Sequence, residues 1–140
     1  MVQIAEDYVS FEIAKLLREK GFDWECISYY FNEEPDDVQY SFCGETNSIW
    51  ESRCCSAPTL QMAMKWLREV HKLVICAEIG NENFKGNTDY SNPDIWHWFF
   101  DITNEKGVVI DTESDFVLNE YTTYEEACEA GIKYCLENLI

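Results

Sequence analysis

The chain has 140 residues, 46% of them hydrophobic and 15% aromatic, which excludes a disordered segment and fits one domain with a real core. It carries 27 acidic and 10 basic residues, a formal charge of −17, which argues against nucleic-acid binding through phosphates and against attraction to anionic membranes. Residues 1–72 hold 13 acids and 7 bases and residues 73–140 hold 14 acids and 3 bases, so the C-terminal half is the more acidic. Such a charge suits solubility, divalent cations or a basic partner.

The opening, MVQIAEDYVSFEIAKLL, has acids where a signal peptide needs basic residues. No apolar run approaches the roughly 18 residues of a membrane span. Seven cysteines, with no CxxC spacing, point to reduced thiols and a cytoplasmic setting.

The first helix is expected at Phe11–Lys20, capped by Ser10, with Ile13, Ala14 and Leu17 as its apolar face and Gly21 as its stop. Three short strands follow: Cys26–Phe31, Val38–Cys43 and Ser48–Cys54, separated by polar turns at Asn32–Asp37 and Gly44–Asn47. The second helix spans Pro58–His71, with Pro58 in its first turn and a stripe of Leu60, Ala63, Leu67 and Val70. Leu73–Ile79 and Ile95–Thr103 read as strands, and Asn104–Gly107 as a hairpin turn into Val108–Asp111. Phe116–Tyr121 adds one more strand. The third helix begins at a capping box, Thr123 with Glu126, and its face is Tyr124, Ala127, Cys128, Gly131, Ile132, Cys135 and Leu139.

The order αβββαβββα, with short turns, predicts a single α+β domain over residues 1–140. An antiparallel sheet of five to six strands would carry the three helices mainly on one face. Three helix starts share a Ser/Thr-aromatic-or-Leu-x-x-Ala pattern, at Ser10, Thr59 and Thr123, which recurring cap chemistry explains better than duplication of an αβββ unit. The segment Gly80–Asp94, GNENFKGNTDYSNPD, is long for a loop in a compact domain and reads as functional or disordered.

Few residues stand out chemically. Cys54 and Cys55 are adjacent, so a strand sends them to opposite faces, and Cys128 and Cys135 lie on an apolar helix face. All four read as structural, and neither His71 nor His97 is spaced to activate a thiol. Along Ile95–Phe100, alternation sends Trp96, Trp98 and Phe100 to one face and Ile95, His97 and Phe99 to the other. Apolar bulk on both faces predicts a doubly covered core strand, with His97 as a hydrogen-bonded buried histidine. An exposed aromatic row that binds a ligand or seals a homodimer is the competing reading. Carboxylates cluster at Glu33–Asp37, Asp111–Asp115 and Glu125–Glu126, in polar turns and a helix first turn, where no burial raises a pKa for acid–base work. The loop lacks calcium-loop spacing, and no P-loop, GxGxxG, GxSxG or HExxH occurs. No metal or cofactor is expected.

Three segments, VSFEIAKLLREKGFD, SAPTLQMAMKWLREVHKL and TTYEEACEAGIKYCLENLI, resemble a family of small acidic proteins from gut anaerobic bacteria and their phages and mobile elements. The resemblance covers both ends and the middle helix. It implies a bacterial cytoplasmic setting and a mobile-element origin, and brings no catalytic or binding residues.

The expected function is a non-enzymatic interaction domain for a basic partner, in its sharper form an inhibitor that mimics DNA. Its candidate interaction residues are Trp96, His97, Trp98, Asp111, Glu113 and Asp115. The alternatives are a small-ligand site on strand 95–100 with loop 80–94 as lid, and an enzyme using carboxylates or a thiol.

Overall fold

The computed structural model describes residues 6–50, 52–80, 97–110 and 121–140. Helix α1 spans Phe11–Glu19, and Ser10 Oγ accepts from the Ile13 amide at 3.3 Å, as the cap residue predicts. Its end is closed by paired bonds from Gly21 N to Arg18 O and from Phe22 N to Leu17 O. That closure needs a left-handed residue, and Gly21 supplies it at φ 92°.

Strand β1, Cys26–Phe31, matches its expected bounds; β2 is Gln39–Glu45 and β3 is Cys54–Ser56. They form one antiparallel sheet in the order β2-β1-β3, with an irregularity in β2 opposite Cys26–Ser28. The third strand therefore lies later than the expected Ser48–Cys54. Residues 46–50 turn instead, with Ile49 N and Trp50 N donating to Thr46 O. Short polar side chains capture the backbone there: Asp23 accepts from Ser48 N at 2.7 Å and from Ser48 Oγ at 2.9 Å. This side-chain bonding from a distant segment satisfies the backbone in place of a strand ladder.

Helix α2 is Leu60–Val70, capped by Thr59 Oγ1 on Met62 N; Pro58 precedes the cap rather than opening the first turn. Leu60, Ala63 and Leu67 are buried as expected, but Val70 is half exposed, and Met64 and Trp66 are buried in addition. The helix stops at Val70, and a left-handed Lys72 turns Leu73 back into the core in its place.

Strands β4 (Val74–Gly80) and β5 (His97–Thr103) pair antiparallel from Val74↔Thr103 to Gly80↔His97, forming a second sheet. On its other side β5 makes isolated bridges, Trp98↔Tyr121 and Thr103↔Val109. The turn Asn104–Gly107 is present, held by Asn104 Oδ1 accepting from Lys106 N and Val108 N. The expected strand Val108–Asp111 is reduced to the Val109 bridge, with Asp111 outside the described residues. Of Phe116–Tyr121 only Tyr121 is described, bonded twice to Trp98.

Helix α3, Tyr124–Tyr134, runs into a π-helical turn at Cys135–Leu139. Thr123 Oγ1 caps Glu126 N, but the Glu126 carboxylate accepts from Thr122 rather than closing the box on Thr123. Each of the three helices is closed by a Ser or Thr hydroxyl, which accounts for the recurring sequence pattern at their starts.

The fold is thus α+β with three helices, and the described strands divide between two antiparallel sheets rather than forming one. The helices pack together and serve both sheets: α1 touches β3, α2 touches β4, and α3 touches β4 and β5. Gly131 lets α3 approach closely, since a Cβ there would lie 2.8 Å from Ile75 Cγ2 and 3.3 Å from the Phe100 ring. One core cluster draws on residues from Val9 to Leu136. Among the described residues no helix is long and apolar enough to cross a membrane.

Candidate functional site

Trp96, Asp111, Glu113 and Asp115, and the loop from residue 81 onward, lie outside the described residues. His97 and Trp98 open β5. Trp98 packs edge-on against Tyr124, and Phe100 lies against Tyr121 and Tyr134, so this face of the strand is turned to α3. His97, Phe99 and Asp101 are half-buried on the other face, where Cys76 and Glu78 are exposed. Phe100 and Ile102 are thus fully buried on the face toward α3, and the other face of β5 is half-buried among the described residues. Phe99 spends its ring over Gly80, the residue paired with His97.

The cysteines are all free. Cys128 and Cys135 are fully buried in the core, as their place on the apolar face predicts. Burial pushes the Cys26 and Cys55 thiols up to about 11 and Cys135 to about 12, and raises Cys128 as well. That direction suppresses the thiolate a nucleophile or a metal ligand requires. His71 sits edge-on to Trp66, with its Nε2 buried and without a hydrogen-bond partner, and burial lowers its pKa. Among the described residues no three His, Cys, Asp or Glu side chains are grouped to hold a metal ion.

Two surface features gather chemistry. The first is the seam where α1 and α3 run side by side. Glu12, Glu126, Glu129 and Lys133 line a cleft of about 280 Å³, and Glu12, Glu19, Glu137 and Lys15 line an adjoining one of about 320 Å³ floored by Phe11 and Leu16. Lys133 Nζ lies 2.9 Å from Glu12 and 3.9 Å from Glu137, and the Glu12 carboxylate raises its pKa. Glu129 accepts from Ser10 N at 3.0 Å, placing a carboxylate at the positive end of α1. Three carboxylates of the acidic C-terminal half thus meet two from α1. Glu78, Asp101 and Glu105 stand apart from them on the second sheet and its turn.

The second feature was not anticipated. Alternation along β1 sends Cys26, Ser28 and Tyr30 inward, where Tyr30 Oη donates to Val9 O at 2.7 Å. Ile27, Tyr29 and Phe31 face outward. Trp50, from the turn before β3, stacks on Tyr29 with ring centres 4.5 Å apart, and Phe31 meets Tyr29 edge-on at 5.2 Å. The indole N–H donates to Ser56 Oγ at 2.9 Å, which fixes the ring. The signal was present in the Ile27-x-Tyr29-x-Phe31 spacing. The strand assignment of Ser48–Cys54 concealed it by flattening the turn that brings Trp50 over β1.

No family model, curated protein or solved structure matches this chain.

Proposed function

We propose that the protein is a non-enzymatic interaction domain whose α1–α3 seam receives a basic partner. The observation that carries this reading is the seam itself: Glu12, Glu19, Glu126, Glu129 and Glu137 against Lys15 and Lys133 on one continuous helical surface. Lys133 illustrates the chemistry, since the seam already holds one ammonium between two carboxylates. A partner's lysine or arginine would meet the same environment, with the remaining charge of the −17 chain steering its approach. Exposed pairs of this kind are individually weak, so affinity would come from several at once. An inhibitor that mimics DNA is the narrower form of this reading, and a mobile-element origin would suit it.

The test is a titration of isotope-labelled protein with octalysine at low and high salt. Shifts should concentrate on α1 and α3 and fade with salt. Shifts spread evenly over the surface, or insensitive to salt, would remove the seam from the account.

A further inference from the structure

We infer that the aromatic cleft on the outer face of the three-stranded sheet binds a small organic cation with an apolar body. Tyr29, Phe31, Ile49, Trp50, Glu45 and Arg53 line a cleft of about 400 Å³, a volume in the range of small-ligand sites. An adjoining cleft of about 270 Å³ shares Phe31 and Arg53 and adds Glu33 and Glu34.

Three properties select the ligand. First, the wall is built before any ligand arrives: Trp50 is anchored on buried Ser56, Tyr29 is stacked on Trp50, and Phe31 is wedged on Tyr29. The turn behind Trp50 is pinned as well, by Asn47 bonds to Phe22 O at 2.7 Å and from Ser56 N at 2.8 Å. Binding therefore costs little side-chain ordering. Second, apolar surface stays exposed at the cleft, with Phe31 38% and Ile49 64% accessible, while the equivalent inward positions of β1 are buried. Third, among the described residues the charged lining of the two clefts is Glu33, Glu34 and Glu45 against Arg53, three carboxylates to one guanidinium. Electron-rich ring faces beside an excess of carboxylate favour a cation over an anion, as in sites that hold ammonium groups against aromatic rings. The site lies on the other sheet from strand 95–100, the alternative ligand site read from the sequence, and is independent of the helical seam.

The probe is benzyltrimethylammonium, compared with benzoate at the same ionic strength, followed through the Trp50 Nε1–H resonance and by calorimetry. The cation should bind in the millimolar range and shift Trp50 most among the five tryptophans. Phe31→Ala and Glu45→Gln should each weaken it by about fivefold, and Arg53→Gln should tighten it. Benzoate binding as well as the cation would overturn the proposal, and so would weaker cation binding by Arg53→Gln. Equal shifts at all five indoles, unchanged by Phe31→Ala, would also overturn it by showing adsorption to a negative surface. So would silence at tens of millimolar probe.

Discussion

Asn47 is the side chain whose removal should do most damage for its size. It is 7% exposed and bridges two backbones, donating to Phe22 O after α1 and accepting from Ser56 N at the edge of β3. Asn47→Ala leaves a buried carbonyl and a buried amide without partners, and each orphan costs about 1–3 kcal/mol. The combined loss should be about 2–6 kcal/mol, a large fraction of the stability of a domain this size. Urea unfolding followed by far-UV circular dichroism measures it, with Thr46→Ala as the control. Thr46 Oγ1 bonds Ser48 Oγ and the Asp23 carboxylate in an exposed setting, so its loss should stay within about 1 kcal/mol. The near-UV signal should also weaken in Asn47→Ala, because the turn carrying Trp50 loses its buried pin. A loss below about 1 kcal/mol, or one equal to that of Thr46→Ala, would refute the reasoning.

Gly131→Ala gains about 1 kcal/mol of helix propensity but drives a Cβ against Ile75 and Phe100, an overpacking worth about 1–3 kcal/mol, so the net change should be destabilising. A double-mutant cycle with Ile75→Ala should recover part of the loss, and strict additivity would contradict the contact. His71 has a folded pKa below its ordinary value, so the unfolded chain binds more protons as pH falls below about 6.5. Stability should therefore decline from pH 7 toward 5, and His71→Phe should flatten that decline; identical urea midpoint profiles would contradict it. Iodoacetamide at pH 8 should label Cys43 and Cys76 first, since both are exposed, and reach Cys26, Cys55 and Cys135 only on opening. Mass spectrometry that finds Cys135 labelled as fast as Cys43 would disprove their burial.

The helices were legible because their signals are local. Ser10, Thr59 and Thr123 each cap a helix through their own hydroxyl, and Gly21 takes the left-handed position that ends α1. Strand β1 was legible for the same reason, since CISYYF alternates and is bounded by turns. What failed depends on partners far along the chain. The turn at residues 46–50 exists because Asp23, some 25 residues earlier, captures Ser48. The division of the described strands into two sheets rests on pairings between distant segments, and no strand pattern encodes that. Glu126 was read only as a capping-box and first-turn acid and Glu129 was not singled out; both gain their meaning only when α1 brings Glu12 beside them. The aromatic strand was read correctly in the alternation of its described residues, with Phe100 inward.

The central claim is that position, and not charge alone, gives the acids their function. Two variants with the same change in net charge test it directly. Glu12→Gln, Glu19→Gln and Glu137→Gln together remove three of the seam's five carboxylates, whereas Asp36→Asn, Glu69→Gln and Glu105→Gln remove three exposed acids elsewhere. Octalysine affinity, measured by calorimetry at low salt, should fall about fivefold further in the seam variant than in the control, equivalent to about 1 kcal/mol of lost pairing. Equal affinities in the two variants would show that the charge acts only in bulk, and would contradict the account.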